Sequence, residues 1–131
     1  MRPGPTNDPP PLHELESEVM EQIWSDGAET TVRAVMEALN SRREQDRAYT
    51  TYMTTMARLA DKGLLARRRE GKTDLYAPSL SRAEYVEQRA ASEVEALVDQ
   101  YGDAAFVHFA RQMNTLDPKR REQLRRLARR G

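Results

Sequence analysis

The amino-acid sequence predicts a mainly α-helical protein that carries one small β-hairpin near its middle. Three observations predict this class. Apolar residues recur at helical spacing through most of the chain after residue 12. Two short runs flank the turn Glu70-Gly71-Lys72, as the strands of a hairpin do. A further helical region follows Pro78 and continues towards the end of the sequence.

The 131 residues divide into three parts by composition. Residues 1–11 hold five of the seven prolines and are expected to form a disordered tail. Residues 12–79 are expected to form an N-terminal domain of helices and a hairpin. Residues 80–131 are expected to form a helical dimerisation arm. This length allows one domain, or one small domain with an appended arm.

The composition excludes several kinds of site. The chain has no cysteine, so disulfides, thiolate metal sites and cysteine nucleophiles are absent. Its two histidines, His13 and His108, lie in different segments, and no nucleophile elbow, phosphate-cradling glycine loop or metal-ligand spacing is present. We therefore predict a protein that is not an enzyme and that binds no cofactor and no metal. No apolar run approaches about 20 residues, so we expect a cytoplasmic protein without membrane insertion.

Two amphipathic helices are predicted at the start of the N-terminal domain. The apolar face of the first comprises Leu12, Leu15, Val19, Ile23 and Trp24. That helix should end near Asp26-Gly27, and Trp24 should anchor it in the core. The apolar face of the second comprises Val32, Val35, Met36 and Leu39. Thr30 or Thr31 can cap this second helix, which should end around Asn40-Ser41.

The stretch from Arg47 to Gly63 predicts a third helix with two contrasting faces. At about 100° per residue, the arc expected to be buried comprises Tyr49, Tyr52, Met53, Met56, Leu59 and Ala60. The opposite arc comprises Arg47, Thr50, Thr51, Thr54 and Arg58. Threonine is a mediocre helix former, but its short hydroxyl, like an arginine, can bond to phosphates and base edges. By itself the stretch fits a DNA recognition helix and an ordinary amphipathic helix equally well.

The distribution of charge favours the DNA interpretation. The formal net charge is zero, but basic residues concentrate between positions 42 and 72 and acidic residues lie on either side. Three short helices with a charged turn before the third match the helix-turn-helix layout. The hairpin that follows carries Arg67, Arg68 and Arg69 and completes a winged-helix arrangement. Alone, these arginines fit a solubilising charge run, whereas beside the Thr/Arg helix they favour phosphate contact.

The C-terminal region predicts a helical arm that associates with a second copy. A capping box, Ser81-Arg82-Ala83-Glu84, opens a long helix that Gly102-Asp103 interrupts, and Asp117-Pro118 begins the last helix. The apolar residues of the arm have no globular body to cover them, and a two-fold dimer is the commonest solution. The predicted dimer interface comprises Val94, Leu97, Tyr101, Phe106, Phe109, Met113, Leu124 and Leu127. The basic last helix fits pairing with the acidic long helix of a partner subunit and a solvated helix end equally well.

Several motifs carry a resemblance to a known family. The run Ala48-Tyr49-Thr50-Thr51-x-Met53-Thr54, continuing to Arg58-Leu59-x-x-Lys62-Gly63-Leu64, resembles the recognition helix of the BlaI/MecI/CopY family of bacterial repressors. The segments Leu15-Glu16-x-x-Val19-Met20-x-x-Ile23-Trp24, Thr31-Val32-Arg33-x-Val35 and Tyr76-x-Pro78 resemble other parts of that family. The resemblance covers most of the chain after residue 12 and weakens past about residue 100.

The resemblance implies a homodimeric winged-helix repressor that binds double-stranded DNA at an inverted-repeat operator. It implies base contacts from four residues of the third helix and contacts of the wing with DNA near Arg68, Arg69 and Lys72. The four are Thr50, Thr51, Thr54 and Arg58. The predicted DNA-binding residues are Thr31, Arg47, Thr50, Thr51, Thr54, Arg58, Arg67, Arg68, Arg69 and Lys72. The alternative is a winged-helix module that binds proteins and has abandoned DNA.

The family also implies a biological setting. Its targets are antibiotic-response genes of the β-lactam type or copper-handling genes, and the cysteine pattern of the copper branch is absent here. In the β-lactam branch, cleavage of the arm by a membrane sensor-linked protease relieves repression. Two departures bear on the fold. Tyr52 and Thr55 stand where the family usually has aliphatic residues, and Asp74-Leu75 replaces an aromatic–basic pair in the second wing strand.

Overall fold

The computed structural model describes residues 9 and 11–130, and these form six helices and one β-hairpin. The elements are α1 (Glu14–Asp26), α2 (Val32–Asn40), α3 (Tyr49–Asp61), β1 (Leu65–Glu70), β2 (Thr73–Pro78), α4 (Arg82–Tyr101), α5 (Asp103–Asn114) and α6 (Pro118–Arg130). The predicted mainly helical class with a winged helix-turn-helix is confirmed. Most of the predicted disordered tail, residues 1–8 and 10, lies outside the described residues.

The chain divides into two compact units, residues 1–90 and residues 91–131, and the division falls within α4. The first unit holds α1 to β2 and the start of α4. The second holds the remainder of α4 together with α5 and α6. The boundary expected from the sequence, between residues 79 and 80, lies just before α4 begins.

Local capping chemistry sets the ends of the helices. Gly27 follows α1 with φ +70°, a conformation that glycine adopts without a Cβ penalty, and its N–H donates to the Ile23 carbonyl at 3.3 Å. The Thr31 hydroxyl accepts from the Ala34 N–H at 3.1 Å and begins α2. The predicted capping box before α4 is present: the Ser81 N–H donates to Glu84 Oε1 at 2.9 Å, and the Glu84 N–H donates to Ser81 Oγ at 3.1 Å.

One hydrophobic core lies between α1, α2, α3 and the hairpin. Its most deeply buried large side chains are Val19, Met20, Ile23, Val35, Tyr52, Met56, Leu59 and Tyr76. Seven of these eight residues lie on helices, and helical periodicity identifies most of the seven, whereas Tyr76 lies on β2. Trp24 is half-buried against the core, its indole N–H donates to the Leu80 carbonyl at 2.8 Å, and its ring lies 5.5 Å from that of Tyr85.

The predicted buried arc of α3 is wrong at two positions. Tyr49 and Met53 are 42% and 44% exposed, and Thr55, which was not assigned to the core, is buried. The helix is therefore rotated by roughly 50° from the predicted orientation. The rotation is tolerated because Thr55 donates its hydroxyl to the Thr51 carbonyl at 2.8 Å, which satisfies a polar group inside the core. The helix also begins at Tyr49, whereas Arg47 precedes it.

The wing is a two-stranded antiparallel hairpin. Leu65 pairs with Pro78 at its base and Glu70 pairs with Thr73 at its tip. A single residue before α2 extends this sheet: Thr30 exchanges two backbone hydrogen bonds of 2.9 Å with Tyr76. The wing is thereby fixed to the segment that leads into α2.

The second unit consists of helices with little internal core. Ala105 is buried, whereas Val94, Leu97, Tyr101, Phe106 and Leu127 are each more than 40% exposed. Phe109, Met113 and Leu124 are half-buried. Gly102 separates α4 from α5 with φ +58°, as the sequence predicts. Within the described chain, no helix combines the length and apolar character that a bilayer crossing requires.

Candidate nucleic-acid interface

The outer face of α3 presents short hydroxyls and one arginine to solvent. Thr50, Thr51, Thr54 and Arg58 are all exposed, as the sequence predicts. Thr51 and Arg58 border a groove of about 530 Å³ between α3 and the start of α1, where His13 and Leu15 form the other wall. Side chains this short let a helix approach a nucleic-acid groove closely, while the arginine can reach a base edge or a phosphate.

A hydrogen-bond network fixes the beginning of α3. Asn40, at the end of α2, accepts the Tyr52 hydroxyl at 2.8 Å and the Arg47 N–H at 3.1 Å, and its amide donates to the Arg47 carbonyl at 3.0 Å. The Arg47 guanidinium contacts the Glu18 carboxylate at 3.1 Å, and this hydrogen bond raises the pKa of Arg47. Arg47, a predicted DNA contact, therefore ties the α2–α3 connection to α1.

A partly buried ion pair fixes the end of α3. The Lys62 ammonium donates to both carboxylate oxygens of Glu16, at 2.7 and 2.9 Å, and the Glu16 side chain is only 7% exposed. Burial acts to raise the pKa of Glu16, but the hydrogen bonds from Lys62 and from the His13 N–H outweigh burial and hold the pKa below its ordinary value. Both ends of α3 are thus held to α1 by charged contacts.

Carboxylates already engage two of the three wing arginines. Arg67 contacts Asp74 at 2.8 Å, and this contact lowers the pKa of the Asp74 carboxyl. Arg68 contacts Glu29 at 2.6 Å and Glu70 at 3.1 Å, and its hydrogen bond lowers the pKa of the Glu29 carboxyl. Asp74 belongs to the pair that stands where the resembled family has an aromatic–basic pair. In this chain its carboxylate therefore neutralises an arginine of its own wing.

The remaining cations of the wing are more available. Arg69 donates to the Gly71 carbonyl at 3.4 Å, and Lys72 lies exposed at the tip. Neither forms an ion pair with any residue that the structure describes. Arg58, Arg69 and Lys72 are therefore the predicted DNA-binding cations that can contact a polyanion while no ion pair among the described residues has to break.

The sequence did not predict that the side of α3 facing the wing is also exposed. Tyr49 and Met53 line a groove of about 460 Å³ between α3, the start of α2 and the wing. The Arg33 guanidinium lies 5.8 Å from the centre of the Tyr49 ring, within cation–π range. Periodicity assigned Tyr49 to the core, and no local pattern connects it to an arginine on the preceding helix. The exposed surface of α3 is therefore wider than predicted.

The structure brings most predicted DNA-binding residues onto the first unit's helix α3 and wing, with two exceptions. The Thr31 hydroxyl accepts the capping hydrogen bond of α2, and Arg47 is paired with Glu18. Across the described chain, no cluster of three or more histidine and carboxylate side chains is arranged to hold a metal ion. The arrangement offers hydroxyl and guanidinium donors for base edges and cations for phosphates.

Comparisons with known proteins agree with this geometry. The family model described as Penicillinase repressor matches residues 12–130. The transcriptional regulator BlaI of Mycobacterium tuberculosis is 43% identical over 102 residues, which cover 75% of this chain and 70% of that protein. The solution structure of the DNA binding domain of the repressor BlaI matches with a TM-score of 0.50 and 26% identity, covering 61% of this chain and 94% of that one.

Proposed function

The chain belongs to the penicillinase repressor family, and from this premise we propose that it is a sequence-specific, DNA-binding transcriptional repressor. The observation that carries the proposal is the exposed Thr/Arg face of α3, held at both ends by charged contacts and placed beside a basic wing. A helix fixed in this way can enter a major groove without losing further conformational freedom.

Base reading and phosphate binding fall to different residues in this proposal. Thr50, Thr54 and Arg58 read base edges, because threonine offers a hydroxyl and a methyl group and arginine can bond guanine in a bidentate manner. Arg69 and Lys72 neutralise phosphates, which supplies affinity without sequence preference. Tyr49 and Arg33 extend the contact surface on the wing side of α3.

A homodimer on an inverted-repeat operator completes the proposal. The exposed apolar residues of the second unit, among them Leu97, Tyr101 and Phe106, support it, because soluble monomers rarely leave large apolar patches uncovered. A two-fold dimer presents two copies of α3, so its operator is expected to be palindromic.

The regulated genes are proposed to be antibiotic-response genes of the β-lactam type, or related genes. The name of the matching family supports this assignment. We further propose that the protein acts in the cytoplasm, where its operator lies, and that induction cleaves the arm through a membrane sensor-linked protease.

The test is a titration of the full-length protein into a duplex from the region upstream of its own gene, at two salt concentrations and with competitor DNA. We expect preference for the upstream duplex and affinity that falls steeply with salt. The variant Arg58→Ala should cost about 1–3 kcal/mol and relax discrimination at one base position. A symmetric footprint and a dimer mass in sedimentation equilibrium would support the two-fold arrangement.

The matched control is Arg111→Ala, which removes an exposed arginine from α5 and should leave operator affinity unchanged. If Arg58→Ala weakens binding to all sequences equally, Arg58 contacts a phosphate only. If the wild-type protein shows no preference for the upstream duplex over competitor at either salt concentration, the repressor proposal is wrong, and a winged-helix module for protein binding becomes the better description.

A further inference from the structure

The last helix, α6, is strongly basic although the formal net charge of the whole chain is zero. Helix α6 carries seven lysine and arginine residues and one carboxylate, Glu122, within 13 residues. Its net charge of +6 means that the rest of the formally neutral chain carries −6. Six of the seven cations are exposed and Arg121 is half-buried. This is the strongest local positive charge in the sequence.

Five of the seven cations of α6 lie on the side of the helix away from its apolar residues, whereas Arg120 and Arg121 lie on the apolar side. Leu124, Leu127 and Ala128 occupy one side at about 100° per residue, and Arg125, Arg126 and Arg129 lie opposite them. Arg129 contacts Glu122 at 3.0 Å, but both side chains are more than half exposed, so this pair is weak. A contact through the leucines would therefore leave the cationic side open to solvent.

We propose that the cationic side of α6 is a second nucleic-acid-binding surface, which contacts the phosphate backbone of duplex DNA without reading its sequence. Arg125 and Arg129 lie one turn apart, about 6 Å along the helix axis, a length that spans about two nucleotides of one strand. Arginine suits this contact because its planar guanidinium can bond two phosphate oxygens at once. No threonine or asparagine accompanies the arginines on this side, and the proposal assigns the arginines to phosphates and not to base edges.

Two other occupants fit the helix less well. An anionic membrane surface usually engages basic helices that insert aromatic and leucine side chains, whereas α6 offers two leucines, an alanine and no aromatic residue. The acidic side of α4 in a second copy has complementary charge. However, a dimer contact through Leu124 and Leu127 turns the opposite, cationic side of α6 away from that contact.

The test uses the full chain with Arg125, Arg126 and Arg129 all replaced by glutamine, which keeps helix propensity and removes three charges. Binding to a duplex of random sequence is measured between 50 and 200 mM salt. Each lost phosphate contact should lower the slope of log affinity against log salt by about 0.9, so we expect a decrease of about 1–3 per protomer. The ratio of affinities for upstream and random duplexes should stay within about twofold of wild type, because phosphate contacts carry no sequence information.

The control replaces the same three arginines by lysine, which keeps the charge and should keep most of the slope. An unchanged slope in the glutamine variant overturns the proposal. If that variant instead weakens the dimer in sedimentation equilibrium and leaves the slope intact, α6 pairs with a second copy and the proposal is also wrong. Failure of the repressor proposal looks different: wild type would lack preference for the upstream duplex yet keep the slope that depends on α6.

Discussion

The contact between Asn40 and Tyr52 allows a quantitative test of what holds α3 in place. The Tyr52 side chain is fully buried, and its hydroxyl donates to Asn40 Oδ1 at 2.8 Å. Asn40 also makes two hydrogen bonds with the backbone of Arg47. Among the described residues that are not exposed, no fully buried side-chain nitrogen or oxygen lacks a partner, so removing Asn40 would orphan a group that is now satisfied. The proposed perturbations are Asn40→Ala, Tyr52→Phe and the double variant.

The two single substitutions should lower the free energy of unfolding by different amounts. Tyr52→Phe removes one hydrogen bond but leaves Asn40 Oδ1 bonded to the Arg47 N–H, so it should cost about 0.5–1.5 kcal/mol of unfolding free energy. Asn40→Ala removes three hydrogen bonds and leaves the proton of the buried Tyr52 hydroxyl without its acceptor. The loss of these hydrogen bonds, with a donor left unsatisfied inside the core, should cost about 2–4 kcal/mol. The double variant should be less destabilised than the sum by at least about 1 kcal/mol.

The assay is urea unfolding followed by circular dichroism, with Tyr49→Phe as the matched control. Tyr49 is 42% exposed, and loss of its hydroxyl should change the unfolding free energy by less than about 0.5 kcal/mol. If the effects of the two single variants add to within about 0.3–0.5 kcal/mol, the two side chains are not coupled and the reasoning fails. A cost for Tyr52→Phe as large as that for Asn40→Ala would refute it equally.

Three further predictions concern charges and caps. Glu16→Gln should lower the unfolding free energy by about 1.5–3 kcal/mol at pH 7. Because the folded-state pKa of Glu16 is depressed, its contribution to stability is present above the unfolded pKa of 4.5 and is lost as the pH falls through the folded pKa. If the difference in unfolding free energy between wild type and variant stayed constant in urea unfolding down to pH 3, the assigned pairing with Lys62 would be contradicted. Asp74→Asn should free Arg67 and steepen the salt dependence of duplex binding by up to about 1 per protomer, and a shallower dependence in the same titration would show that Asp74 is needed to position the wing. Ser81→Ala should cost about 0.5–2 kcal/mol in urea unfolding, whereas Ser81→Asp, which can still cap α4, should retain most of the stability.

The sequence predicted the ends of the helices better than their orientation. Gly27, Thr31 and Ser81 mark ends through hydrogen bonds to residues three or four positions away, so the information is local. The orientation of α3 depends on what α1 and α2 present to it. Apolar character placed Tyr49 inside and overlooked Thr55, because a hydroxyl satisfied by its own helix can be buried at little cost.

Residues of the candidate interface could be predicted from the sequence where residue type and spacing within one helix or hairpin identify them. The threonines and Arg58 follow from one helix period, and the wing cations from one hairpin. The ion pair of Glu16 with Lys62 joins residues 46 positions apart, and the contact of Arg33 with Tyr49 joins two helices. Pairings of this kind are properties of the packed chain, and one sequence without its fold does not reveal them.

The environment of Trp24 gives the protein a built-in optical reporter. It is the only tryptophan in the chain, so all indole fluorescence originates at this one place. Its N–H donates to the Leu80 carbonyl, and its ring contacts that of Tyr85 at the end of the first turn of α4. Indole emission shifts to longer wavelength when the ring becomes hydrated. A displacement of the first turns of α4 from α1 would therefore be visible in the emission spectrum of the unlabelled protein, without any substitution or dye.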